Sequence, residues 1–130
     1  MLNLLENLGI EIQSVSPSST IVSLPVSAKL LQPFGIVHGG INAVLAETAA
    51  SLGANAALAA DQVAVGVDIN THHLAPSTAG CLIATAAPLH IGQRMQTWQV
   101  RITNQNRLVS TSTVTLIAQN KPHPEPTGEN

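Results

Sequence analysis

One carboxylate, Glu47, interrupts a stretch of small and mostly apolar side chains over residues 39–60. A carboxylate in such surroundings is costly to bury unless it is paired, protonated or used in chemistry. Burial raises a carboxylate's pKa, and groups perturbed in this way concentrate at functional sites. The competing reading is an exposed stripe or a subunit contact. Ser51 follows one turn along the same helical face, either to share a site with Glu47 or to permit close packing. Just upstream stands His38-Gly39-Gly40. Successive glycines at a helix start leave backbone N–H groups unhindered, and the positive end of the helix dipole favours an anion there. That geometry suits a developing oxyanion; it equally suits a plain tight turn.

The other imidazoles and the thiol are less pointed. His72 and His73 are adjacent in a strand pattern, so at most one can face a given pocket. His90, Ile91, Gly92, Gln93 and Arg94 put a turn and a cation between two strands, a grip for a phosphate or an ordinary polar hairpin loop. No His-x-x-x-His or Cys-x-x-Cys spacing occurs, so no metal is expected. Cys81, the single cysteine, reads as a buried small residue rather than a nucleophile. Gly-x-Ser-x-Gly, Gly-x-Gly-x-x-Gly and P-loop patterns are absent.

These residues need a frame. Residues 39–60 read as one helix, roughly 30 Å long at about 1.5 Å per residue. From His38 to Glu47 the helix turns through about 900°, half a turn out of phase, and rises about 13 Å. Glu47 therefore cannot readily work beside the His38 and Gly39 amides of its own chain. If both serve one site, a second subunit must bring them together, and a two-fold dimer would make two such sites. Composition agrees: 45% of residues are apolar and only 9% charged, little charge for the surface of a monomer.

A membrane-spanning reading of the helix is opposed by Glu47, Asn42 and Asn55, by Ala and Gly in place of Leu and Ile, and by the lack of flanking Lys or Arg. A helix apolar nearly all round is instead buried on most sides. The net charge of -2 gives no basic footprint for nucleic acid. One cysteine allows no intrachain disulfide, and residues 1–10 lack the basic start of a signal peptide, so a cytoplasmic home is expected.

Around the helix the chain reads as strands. A short helix over residues 1–8 ends at Gly9. Residues 10–13 and 20–24 form a hairpin across Ser16-Pro17-Ser18-Ser19. Val63, Val65, Val67 and Ile69 give a period of two. Residues 81–91 make a further strand in which Pro88 marks an edge or bulge. Residues 98–103 and 107–118 pair across Asn104-Gln105-Asn106. The expected fold class is α+β, an antiparallel sheet of about six strands on one long helix, in a single domain over residues 1–118. Residues 119–130 read as a Pro-rich tail with little order.

Gln32-Pro33-Phe34-Gly35, His38-Gly39-Gly40 and Glu47 together resemble the hotdog-fold acyl-CoA thioesterases. Residues 66–73 and 88–94 extend the resemblance, which covers about residues 30–118. Within that family the chain looks closest to the 1,4-dihydroxy-2-naphthoyl-CoA thioesterases of menaquinone synthesis and their relatives, among them a proofreading thioesterase that acts on a carrier protein. Phenylacetyl-CoA-type members usually carry Asp in place of Glu47. The resemblance implies a helix wrapped by the sheet, a dimer with joined sheets and commonly a dimer of dimers, that is, a homotetramer. It implies Glu47 as nucleophile or general base on a thioester carbonyl polarised by the Gly39 N–H. Gln32 and His38 would orient the thioester or the water, with Ser51 assisting. Gly66, His73, Leu74, Ala75 and Pro76, with His90, Ile91, Gly92, Gln93, Arg94 and Met95, match stretches that hold CoA. Leu74-Ala75-Pro76 stands where relatives often have Arg, and Thr48 replaces a more usual Ser.

The expected activity is hydrolysis of an aromatic or bulky acyl-CoA with no cofactor beyond the CoA of the substrate. Two alternatives stay open: a non-catalytic module that binds CoA or acyl groups, and hydrolysis of an acyl carrier protein thioester.

Overall fold

The computed structural model describes residues 2–122. The elements are α1 (Leu4–Leu8), β1 (Glu11–Val15), β2 (Thr20–Pro25), a 3-10 turn (Ala28–Leu30), α2 (Gly39–Ala56), β3 (Gln62–His73), β4 (Cys81–Ile91), β5 (Met95–Asn104) and β6 (Arg107–Asn120). The strands form one antiparallel sheet in the order β1-β2-β4-β5-β6-β3.

The helix is cradled by small residues. Leu45, Ala46, Ala49, Ala50 and Ala54 are fully buried, in one cluster with Val22, Leu24, Leu82, Trp98, Val100 and Leu116 from the strands. Alanine costs no side-chain entropy on burial and lets the helix axis sit close to the sheet. Two polar side chains in this core are paired: Trp98 Nε1 donates to Gln96 Oε1 at 2.8 Å, and Gln96 Nε2 donates to the Ala54 carbonyl at 3.2 Å. The Ala54 carbonyl, in the last turn of α2, also accepts the Ala57 N–H at 3.2 Å, so Gln96 adds a second bond there.

Several expectations shift. The helix stops at Ala56 rather than Ala60. Asn55, in its last turn, accepts the Ala64 N–H at 2.9 Å and so starts β3 beside it. Strand β6 runs through Asn120, because Gln119 and Asn120 pair with Val63 and Gln62. The expected tail therefore begins two residues later, and residues 123–130 lie outside the described ones. Strands β3 and β4 follow one another but are not neighbours. β3 lies on an edge beside β6, while β4 inserts between β2 and β5. Pro88 sits where both sequence readings apply: β2 ends opposite Ala86, and the β4–β5 register slips between Pro88 and His90. Gln105 and Asn106 both adopt positive φ, 53° and 65°, as a two-residue turn matching the strand twist requires.

The alternation in β3 is not a core pattern. Val65 and Val67 are 39% and 54% exposed, whereas Ala64 is buried and Gly66 lies against Glu47 of the helix. The face towards α2 carries the small residues because the helix passes close. Pairing then slips between Gly66 and Asp68, leaving Val67 as an extra residue. Beyond this bulge Ile69, Thr71 and His73 pair with Val114, Ser112 and Ser110. Such a bulge resets which side chains face which way.

Candidate active site

Two concavities lie along α2. The first, about 480 Å³, opens at the helix start and is lined by Gln32, Gly39, Asn42, His73 and residues 74–77 among others. Its walls are loops tied by backbone bonds: Gln32 N–H to Ile36 O at 2.8 Å, Val37 N–H to Ser77 O at 2.8 Å, and His38 N–H to Leu30 O at 2.9 Å. His38 is the N-cap of α2, its Nδ1 accepting the Gly40 N–H at 2.9 Å. With Nδ1 engaged as acceptor, a neutral His38 carries its hydrogen on Nε2. The Gly39 N–H donates to no group among the described residues, as expected for the first turn of a helix. A Cβ on Gly39 would lie 2.8 Å from His73 Nε2, so only glycine lets the imidazole approach this turn. Asn42 is 7% exposed; its Nδ2 stands 3.4 Å from His73 Nδ1, and its Oδ1 is buried without a partner.

The second concavity, about 310 Å³, lies on the open side of α2 and is lined by Glu47, Ser51, Val44, Thr48 and Leu52, with Leu4 and Leu5 of α1 across from them. Glu47 is exposed in the single chain, on the half-open stripe rather than in the core. Its carboxylate occupies the space a Cβ would need on Gly66. Ser51 is held from behind. Asn55 Oδ1 is committed to the Ala64 N–H, so Asn55 Nδ2 must point at Ser51, 2.7 Å from its carbonyl and 3.4 Å from Oγ. Ser51 Oγ then accepts and keeps its own hydrogen free. The Thr48 hydroxyl is spent on the Val44 carbonyl at 2.7 Å.

The sequence-derived residues therefore separate. Gln32, Gly39, His73, Leu74, Ala75 and Pro76 share the first concavity, while His38, the N-cap beside Gly39, is not among its lining residues. Glu47 and Ser51 share the second, with Gly66 beside the carboxylate and away from His73. From Gly39 to Glu47 the helix rises about 12 Å. His90, Ile91, Gly92, Gln93, Arg94 and Met95 form the β4–β5 hairpin at the other end of the sheet, Gly92 N–H closing onto Met95 O at 2.8 Å. His73 pairs with Ser110 and Met95 with Ile117. Seven residues of β6 thus separate them, about 23 Å at roughly 3.3 Å each. Within one chain, residues 73–76 and 90–95 do not meet.

Asn42, Ser77, Asn55, Leu4 and Leu5 were not among the sequence-derived site residues. Asn42 lies three residues after Gly39 and Asn55 four after Ser51, spacings that place each pair on one helical face. Cys81 is half-buried, rather than buried as expected, and lines neither concavity. Among the described residues, no three His, Cys, Asp or Glu side chains group as a metal site, and no helix is long and apolar enough to cross a membrane.

A long alanine-rich helix on a six-stranded antiparallel sheet, with a free N–H at its start and a carboxylate midway, is the hotdog arrangement, and the chain belongs to the thioesterase superfamily, whose profile matches residues 34–111. It is similar to the 1,4-dihydroxy-2-naphthoyl-CoA hydrolase of Listeria monocytogenes, at 42% identity over 121 residues that are 92% of this chain and 98% of that protein. The Escherichia coli protein of the same name is 32% identical over 114 residues, 87% of this chain and 84% of the other. Among solved structures, a thioesterase from Haemophilus influenzae matches with a TM-score of 0.85 at 38% identity, covering 89% of this chain and 82% of that one. The chain is a thioester hydrolase.

Proposed function

We propose that this enzyme hydrolyses an aromatic or bulky acyl-CoA, with 1,4-dihydroxy-2-naphthoyl-CoA of menaquinone synthesis as the leading substrate. The similarity to two hydrolases named for that thioester supports the choice. The observation that carries the mechanism is the separation of a free Gly39 N–H from the Glu47 carboxylate on one helix. Two chains related by a two-fold axis bring Glu47 of one against the Gln32, His38 and Gly39 loop of the other.

As general base, Glu47 takes a proton from water while the water oxygen attacks the thioester carbon. The Gly39 N–H holds the oxyanion, the C–S bond breaks, and the CoA thiolate leaves with the proton. As nucleophile, the carboxylate itself displaces CoA to form a mixed anhydride, which water then opens to acid and free Glu47. Gln32 and His38 orient the carbonyl or the water, and the free Ser51 hydrogen supports Glu47. Residues 73–76 and 90–95, drawn from different chains of a dimer or a dimer of dimers, hold CoA. The reaction needs no other cofactor and takes place in the cytoplasm.

Acyl-CoA panels with naphthoyl, benzoyl, phenylacetyl and fatty acyl groups test the reading on wild type and Glu47→Ala. Equal turnover by both would remove Glu47 from the chemistry. Mixing Glu47→Ala with a Gln32→Ala, His38→Ala double variant tests the shared site. Random pairing leaves one intact site in each mixed dimer, so about a quarter of wild-type activity returns. No recovery would place each site within one chain.

A further inference from the structure

We propose that the acyl group is selected by α1, a segment outside the matched superfamily region, through Leu4 and Leu5. This rests on the reading that the thioester carbonyl meets Glu47. Helix α1 has five residues, too short to persist alone, yet both its ends are fastened. Asn3 and Glu6 form a reciprocal capping box with bonds of 3.0 and 3.1 Å. Gly9 closes the other end at φ 89° with its N–H on the Leu5 carbonyl at 3.0 Å. Lys29 Nζ donates to the Asn7 carbonyl and so pins the helix to the loop before α2.

Only Leu8 of α1 packs against the core; the helix contains no fully buried residue, and Leu4 remains 55% exposed. What Leu4 and Leu5 do contact is the concavity beside Glu47, which they complete opposite Val44 and Leu52. At about 310 Å³ its size is at the lower end of the range that holds small ligands. Its polar lining is nearly spent, since the Thr48 hydroxyl is bonded to its own helix and only Ser51 retains a free hydrogen. A thioester carbonyl at Glu47 therefore projects its acyl carbons between α1 and α2, into walls that suit an apolar ring system. Acetyl groups end at the carboxylate and do not reach α1. Selection by acyl size thus sits on α1, and the chemistry sits on α2.

The test compares 2-naphthoyl-CoA with acetyl-CoA on wild type, Leu5→Ala, Leu5→Trp and Leu5→Met, with Leu2→Ala as a control outside the concavity. Leu5→Ala removes wall contacts and lowers kcat/KM for 2-naphthoyl-CoA about tenfold, with acetyl-CoA turnover unchanged. Leu5→Trp fills the space and lowers the same ratio. Leu5→Met, which conserves volume, restores it to within about threefold. An unchanged naphthoyl-to-acetyl ratio in both Leu5→Ala and Leu5→Trp overturns the assignment, as does an equal fall for both substrates. Equal turnover of 2-naphthoyl-CoA by wild type and Glu47→Ala overturns instead the Glu47 reading on which the assignment rests.

Discussion

The two concavities along α2 differ in the kind of group they can offer. At the helix start the backbone is unsatisfied, so Gly39 presents an N–H without any side chain, and loops supply the walls. Midway along, the helix has used its backbone groups internally, and chemistry there must come from side chains: Glu47 and Ser51, with leucines from α1 as walls. An electrophilic grip belongs at a helix end and a base or nucleophile belongs on a helix face. The same fold cannot put both on one face within a single chain over so short a distance. The proposed pairing of two chains would solve the problem without bending the helix.

Substitutions can break this contrast in order of severity. Glu47→Ala removes the one carboxylate that lines the second concavity among the described residues, and turnover should fall on the order of a thousandfold. CoA affinity by calorimetry should stay within about twofold, since no loop of the first concavity changes. Retained turnover would make the helix face dispensable. Gly66→Ala should come next. Its Cβ occupies the carboxylate's position, and a displacement near 1 Å costs about a hundredfold in kcat. Unaltered kcat would show that β3 does not set the carboxylate.

Gly39→Ala probes the other side. The added methyl meets His73 at 2.8 Å, and about a tenfold loss in kcat/KM is expected. Combining it with His73→Ala should recover part of the loss, because the steric partner is gone; strictly additive losses would refute the contact. The mildest change is Asn55→Ala, which leaves the Ala64 N–H unpaired. A loss of about 1 kcal/mol is expected, read as a fall of about 2–4 °C in Tm. An unchanged melting curve would mean that water replaces the amide at no cost.

Much of this was legible in the chain. The helix, the two hairpins, the turn at Gln105 and the incompatibility of Gly39 with Glu47 all follow from short-range periodicity and helical phase. The resemblance to thioesterases rested on a few residues around His38 and Glu47, and the fold agrees with it. What the sequence concealed lies in long-range pairing. Nothing local in β3 announces that it joins β6 at an edge, or that its valines face away from the helix. The distance between His73 and the 90–95 hairpin is likewise set by register on β6, which no motif reports. Leu4 and Leu5 read only as the apolar side of a short helix, since what they line depends on where that helix comes to rest.

The extra residue at Val67 acts as a parity switch. Were Val67 paired in a regular ladder, the even-numbered positions that face α2 at Ala64 and Gly66 would continue as Asp68, Asn70 and His72. With Val67 bulged out, the odd-numbered series Ile69, Thr71 and His73 turns inward. One residue of slack thus decides which of two identical, adjacent imidazoles meets Gly39. Deleting Val67 would remove the bulge and leave His73 in the cleft, since the pairings from Asp68 to His73 already follow directly on that of Gly66.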